Sequence, residues 1–283
     1  MILRTKLFKR VTIVGVGLMG GSLGLAIKKN KIAREVVGYS HRQASLVQAL
    51  KNKAVDIGYT DIAKAVRSSD LVVLATPVDA IIQMFNTINP LIKRNCIITD
   101  VGSAKTEIVD MANRYLSNPN MFVGSHPLVG SEKKGVMFAS ADLYEKALCL
   151  MTPTNKTSQM AKEKVKQLWM KVGANVKFIS PDEHDNTLAY ISHLPHLLAF
   201  GLMESIPEAF LKYSSQGLKD TSRIAASNPQ MWSDICMANS KNVIHALDGF
   251  VKCLSQYRNA IIKQDQKSLI DSFTTAKNKR DQI

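Results

Sequence analysis

Three groups of residues in this chain have types and spacings suited to chemistry. The first is Gly15-Val16-Gly17-Leu18-Met19-Gly20, a GxGxxG run behind a β-branched apolar stretch and ahead of an amphipathic one. Between a strand and a helix, the first glycine makes a tight turn and the second lets the backbone approach a pyrophosphate. The third lets helix and strand pack closely. The helix N-terminus then offers free N–H groups and the positive end of its dipole to the phosphates. Gly15, Gly17, Leu18, Met19 and Gly20 are therefore read as a dinucleotide site. The residue ending the second strand of such a unit is acidic when it binds a ribose 2′-hydroxyl. Here the run is Gly38-Tyr39-Ser40-His41-Arg42, with a hydroxyl, an imidazole and a guanidinium where the carboxylate would stand. That favours a 2′-phosphate, hence NADP, with NAD as the second option. Ser40, His41, Arg42 and Thr76 join the expected cofactor contacts.

The second group is Gly124-Ser125-His126-Pro127-Leu128-Val129-Gly130-Ser131-Glu132, directly after an apolar run. Strand ends are where open α/β sheets bind ligands, and a histidine there can act as acid or base near neutral pH. The third is Ser192-His193-Leu194-Pro195-His196. Residues three apart share a helix face, and Pro195 removes one helical hydrogen bond. Each histidine taken singly would serve equally as a cap or a packed loop residue. No carboxylate or thiol stands at helical spacing to complete a zinc set, so no metal is expected.

These residues need a scaffold that brings them together. Apolar runs at residues 11–16, 36–39, 71–75, 96–99, 121–123, 148–151 and 176–179 read as strands. Helical patterns at 20–29, 42–51, 105–116 and 161–171 alternate with them. Such alternation predicts an α/β fold, a Rossmann-type parallel sheet with helices on both faces. From Pro181 the pattern changes to helices alone: 183–206 interrupted by Pro195, 229–246 and 250–264, with a polar, fraying tail at 277–283. The expected division is a dinucleotide-binding domain over 1–180 and an all-helical domain over 181–283. The latter is thin and apolar on more than one face, which predicts burial against a second copy in a homodimer.

The chain of 283 residues carries a formal net charge of +14. Residues 1–180 hold 26 Lys+Arg against 12 Asp+Glu, whereas 181–283 hold 11 of each. A basic first domain suits anionic ligands. Without an arginine-rich tract or interleaved aromatics, it does not argue for nucleic acid. Four scattered cysteines form no CxxC pair, so neither a disulfide framework nor a zinc site is expected, and a reducing cytoplasm fits. No membrane span or signal peptide is read.

Five motifs together resemble the prephenate/arogenate dehydrogenase family: GVGLMGGSL at 15–23, DVGSAK at 100–105, GSHPLVGSE at 124–132, HDNTLAYISHLPH at 184–196 and GLKDTSRIAASNPQMW at 217–232. The resemblance implies oxidative decarboxylation of prephenate or arogenate by hydride transfer to NAD(P)+. It implies His126 as the catalytic hydrogen-bond acceptor, with Ser103 as its hydrogen-bonding partner. It implies substrate contacts from Arg223, Lys219 and His196, with His193 supporting the pocket. Glu132 and Asp220 would guard the cleft mouth, Asp220 coming from the partner subunit. Two other classes share part of the pattern. A β-hydroxyacid dehydrogenase-like oxidoreductase joins the same two domain types, and a non-catalytic NADP-binding protein would keep the glycine loop alone. Neither accounts for GSHPLVGSE and SHLPH.

Overall fold

The computed structural model describes residues 6–129, 133 and 135–283. The first part alternates β1 (Phe8–Val14), α1 (Leu18–Lys29), β2 (Ala33–Tyr39), α2 (Gln43–Lys51), β3 (Ile57–Tyr59), α3 (Ile62–Val66), β4 (Leu71–Leu74), α4 (Val78–Ile88), β5 (Ile97–Asp100), α5 (Thr106–Tyr115) and β6 (Phe122–Pro127). It finishes with β7 (Leu148–Thr152), α6 (Gln159–Lys171) and β8 (Asn175–Phe178). The strands form one sheet in the order β3-β2-β1-β4-β5-β6-β7-β8.

Strand side chains alternate between two cores, as a period of two requires. In β4, Leu71 and Val73 face the core built on α1, α2 and α6, around Leu23, Leu46, Val165 and Trp169. Val72 and Leu74 face the other, with Ile81 and Phe85 of α4 and Ile108 of α5. This is the doubly wound arrangement expected of the apolar runs. One expectation is corrected. The sheet is parallel except for β6 and β7, which pair antiparallel, Gly124 opposite Thr152 and His126 opposite Leu150. An antiparallel pair needs no crossover helix, and the described residues of the connection between them form a short 3-10 turn, Val136–Phe138.

The second part is helical throughout: α7 (Pro181–Leu188), a π turn (Ala189–His193), α8 (Leu194–Ser205), α9 (Gln216–Ser222), α10 (Pro229–Ala238), α11 (Ser240–Ile262) and α12 (Gln266–Arg280). Ser180 caps α7 by accepting from the Glu183 N–H at 3.1 Å, and Pro181 occupies its first turn. A wide turn lies immediately before Pro195, where a helical hydrogen bond is missing. Such π turns recur at functional sites. The break expected near Pro195 is thus present. The helix expected over 229–246 instead divides at Asn239, and the tail expected to fray is helical to Arg280. Tyr190, Ile191, Met237, Ile244, Val251 and Leu254 of this part are exposed. Among the described residues no helix is long and apolar enough to cross a membrane.

Candidate active site

The sheet order reverses at β1, which lies between β2 and β4. Loops at such a switch point form a ligand crevice at the C-terminal ends of the strands. Gly15 stands there at φ +95°, a conformation that L side chains rarely adopt, and an added Cβ would sit 2.5 Å from the Ala75 carbonyl oxygen. Gly17, by contrast, has open space around it, and as the N-cap of α1 it gives the helix no side-chain cap. The first N–H groups of α1, over Leu18 and Met19, are left for an anion. A Cβ at Gly20 would strike the Gly15 carbonyl oxygen at 1.9 Å. Across the crevice, the Thr76 hydroxyl is buried without a hydrogen-bond partner. A glycine cradle, an uncapped helix start and an orphaned hydroxyl together fit a dinucleotide. At the end of β2, Ser40 is half-buried while His41 and Arg42 are exposed. The Arg42 backbone N–H donates to the Ser40 hydroxyl at 3.2 Å, and Arg42 stands at the N-cap just before α2.

Further along the same edge, His126 lies near the end of β6. Its Nδ1 is 2.9 Å from Nε2 of His184. Nδ1 of His184 is 2.8 Å from Oδ1 of Asp185. That carboxylate also accepts the backbone N–H groups of Lys105 and Thr106, each at 2.8 Å, so it caps the start of α5. The chain of contacts therefore leaves the sheet, enters the helical part at α7 and returns to the sheet's own helix. Beneath it lies a fully buried ion pair, Lys105 with Asp100. Asp100 also accepts the N–H groups of Gly102 at 2.8 Å and Ser125 at 3.1 Å, which ties the β5 loop to β6.

Burial, then the neighbouring His184, Lys105 and His193, hold His126 well below the ordinary histidine range. Burial likewise lowers His184 and lowers His193 to about 4. Burial alone would raise Asp185, but hydrogen bonds from His184 and Thr106 keep it below the usual carboxylate range. At neutral pH the cluster is therefore three neutral imidazoles around one carboxylate.

His196 points its Nδ1–H at the Ser192 carbonyl at 2.9 Å, and its ring stacks on Trp232 with centroids 3.5 Å apart. His193 meets the Asn239 amide through Nδ1 at 3.2 Å, and Asn239 also donates to the Asp185 carbonyl at 2.7 Å. Nε2 of His193 and Nε1 of Trp232 are buried without partners. Arg223 is exposed at the start of a 3-10 turn; burial lowers His196, and the nearby charge of Arg223 adds to that. Lys219 and Asp220 are exposed on α9, where Asp220 accepts from Gln216 at 2.8 Å. Ser103 lies half-buried in the β5 loop, but the partner His126 has is His184. Among the described residues Ser103 forms no hydrogen bond to it. Glu132 lies outside the described residues.

The structure thus gathers His126, His184, Asp185, His193, His196 and Trp232 beside the cofactor crevice. Sequence reasoning gave no role to His184, Asp185, Asn239 or Trp232, although three of the four stand inside quoted motifs. The available signal was an adjacent His–Asp pair in the first two turns of a helix that follows the last strand.

This combination of a dinucleotide crevice and a half-buried, neutral histidine defines a nicotinamide-dependent dehydrogenase with a helical partner domain. Residues 23–178 match the family described as prephenate dehydrogenase, nucleotide-binding domain, and residues 180–275 match prephenate dehydrogenase, dimerization domain. The chain is 34% identical over 278 residues to a prephenate dehydrogenase of Bacillus subtilis (strain 168), covering 96% of this chain and 75% of that one. It is 31% identical to a cyclohexadienyl dehydrogenase of Zymomonas mobilis, covering 96% and 95%. The crystal structure of prephenate dehydrogenase from A. aeolicus with hydroxyphenyl propionate and NAD+ superposes with a TM-score of 0.91 at 33% identity, covering 100% and 99%. The chain belongs to the prephenate dehydrogenase family.

Proposed function

We propose that this protein oxidatively decarboxylates prephenate or arogenate, using NADP in preference to NAD, as a homodimer. The observation that carries this reading is His126. It is a half-buried imidazole, held neutral by desolvation near the end of β6, on the sheet edge that also holds the glycine loop. A neutral histidine can accept the proton of the substrate hydroxyl, a role a protonated one cannot fill.

A nicotinamide held by the glycine loop would supply the acceptor for the hydride that leaves the hydroxyl-bearing ring carbon. As that C–H bond breaks, the O–H proton moves to His126 and the O–H electrons form the carbonyl. The ring carboxylate then leaves as carbon dioxide, its electrons complete the aromatic ring, and His126 returns the proton to the phenolic oxygen. The step is irreversible in practice because aromaticity and a gas are both gained. Ser103 orients the hydroxyl. Arg223 and Lys219 receive the substrate carboxylates, a planar guanidinium being suited to bidentate contact. His196 and His193 shape the ring pocket, and Glu132 and Asp220 guard its mouth. Asp220 is assigned to the partner's site.

Gly15, Gly17, Leu18, Met19, Gly20 and Thr76 hold the dinucleotide. Ser40, His41 and Arg42 place a hydroxyl, an imidazole and a cation where a 2′-phosphate would lie. Arg42 makes no ion pair with another described residue, which leaves its charge available. The direct test assays prephenate and arogenate, each with NAD and NADP, for wild type and His126→Asn. Turnover of the variant should fall about 10²-fold or more, with a smaller change in KM. Unchanged turnover would refute the role of His126, and no turnover of either substrate by wild type would refute the activity.

A further inference from the structure

We infer that His184 and Asp185 form a positioning pair that sets the tautomer of His126, presenting its Nε2 lone pair to the substrate hydroxyl. The inference rests on the activity proposed above and follows from three contacts read in order. Asp185 has only acceptor oxygens once ionised. Both are engaged by the start of α5, Oδ1 by the Lys105 N–H and Oδ2 by the Thr106 N–H, each at 2.8 Å. The remaining contact to Oδ1, from His184 Nδ1 at 2.8 Å, must place the proton on that nitrogen. A neutral His184 then has a bare Nε2. The 2.9 Å contact between His184 Nε2 and His126 Nδ1 therefore requires the proton on His126 Nδ1. One nitrogen of His126 remains, and it is an acceptor. A general base needs this tautomer, because an Nε2–H would oppose the hydroxyl proton.

The alternative assignment would put a second proton on His184 and reverse only its bond to His126, with His184 Nε2–H donating to His126 Nδ1. Asp185 and Asp100 favour that second proton, but burial, the largest influence, outweighs them and holds His184 below the ordinary histidine range. Lys105 presses its positive charge on both His126 and His184, and burial disfavours a second cation there. Asp100 is taken up by Lys105 and by backbone N–H groups. His193 is kept neutral by burial. When His126 receives the substrate proton, its Nδ1–H continues to donate to His184, and the Asp185 charge one imidazole further on stabilises the transient imidazolium. Neither residue touches the substrate, so both act through His126.

The experiment is a two-bond 15N–1H correlation spectrum of the ligand-free full-length protein, which distinguishes the two imidazole tautomers, together with the kinetics of two variants. His126 should carry its proton on Nδ1. His184→Leu, which cannot accept a hydrogen bond, should lose about 10²-fold in kcat at similar KM and show the other tautomer at His126. His184→Gln keeps an acceptor oxygen and should recover most of the loss. Cofactor binding, measured by titration, should be unchanged in both and reports folding. A wild-type His126 protonated on Nε2 would overturn the proposal, as would equal turnover of the Leu and Gln variants. The wild-type spectrum decides the matter alone should His184→Leu fail to fold. Because it needs no substrate, it also separates failure of this inference from failure of the proposed activity.

Discussion

Mild acid should destabilise this protein well above the pH at which carboxylates titrate. The origin is the buried histidine cluster, and His193 sets the scale. Its side chain is 1% exposed, and burial lowers it from 6.5 to about 4. In the unfolded chain, histidines take up protons as the pH falls through about 6.5. Folded His193 resists until about 4. Between those values the unfolded state binds more protons, so stability falls as the pH falls. Above the window both states are neutral at this site and its contribution is flat. At about 1.4 kcal/mol per pH unit, His193 alone removes about 3 kcal/mol across the window. His126 and His184 shift in the same direction and add to the loss. Asp185 and Asp70 are held low, so their losses come only below the ordinary carboxylate range. For a domain of roughly 150–250 residues, about 3 kcal/mol lowers the melting temperature by roughly 6–12 °C. Thermal unfolding followed by fluorescence between about pH 7.5 and 4.5, at one protein concentration, measures this directly. His193→Asn keeps an acceptor for Asn239 but cannot titrate, so its profile should be flatter by a similar amount. A wild-type melting temperature constant over that range, or an identical slope in the variant, would refute the reasoning.

The remaining predictions concern ligands and assembly. Arg42→Asp should move cofactor preference from NADP toward NAD, read as the ratio of kcat/KM values; an unchanged ratio would show that Arg42 does not meet the 2′-phosphate. Arg223→Ala should weaken substrate binding about tenfold or more while leaving the cofactor dissociation constant nearly intact, because Arg223 lies on the helical side beside His196. Loss of cofactor affinity with substrate affinity preserved would reverse that assignment. Sedimentation at micromolar concentration should give a dimer, and a charged substitution such as Ile244→Glu or Val251→Glu should shift it toward monomer, both residues being exposed on α11. A wild-type monomer would contradict the role given to the helical part.

The sequence was most legible where one residue type has one physical use. The glycine loop could be placed because only glycine fits φ +95° at Gly15 and the close approach at Gly20. The central strands could be placed because parallel strands buried on both faces read as continuous apolar runs. β3 and α3 were missed because they are three and five residues long, too short for a period to show. The direction of β7 was hidden because a buried strand has the same pattern either way up. The sequence between the two apolar runs carries no helical period of the kind a crossover shows, and that was the available trace. The break at Asn239 escaped because helix propensity says nothing of a side chain drawn inward by the Asp185 carbonyl and His193. His184 and Asp185 had no periodic signal at all. Their meaning lies in contacts with residues 58 and 80 positions away in the chain.

The carboxylate of Asp185 has a mechanical consequence as well as an electrostatic one. It belongs to the first helix after the sheet, yet it is bonded to the start of α5, and His184 beside it is bonded to β6. Asn239, at the end of α10, holds the Asp185 carbonyl from within the helical part and so steadies the pair that makes both ties. The two halves are therefore riveted at the proposed catalytic centre, and a rotation between them would break buried bonds that water could not replace. Enzymes of two-domain design often admit substrate by swinging one domain from the other. Here that motion would dismantle the support of the proposed base. Entry and exit fall instead to the periphery of the cleft, so the rate of product release should respond to changes at its rim and stay indifferent to stiffening of the short 178–181 connection.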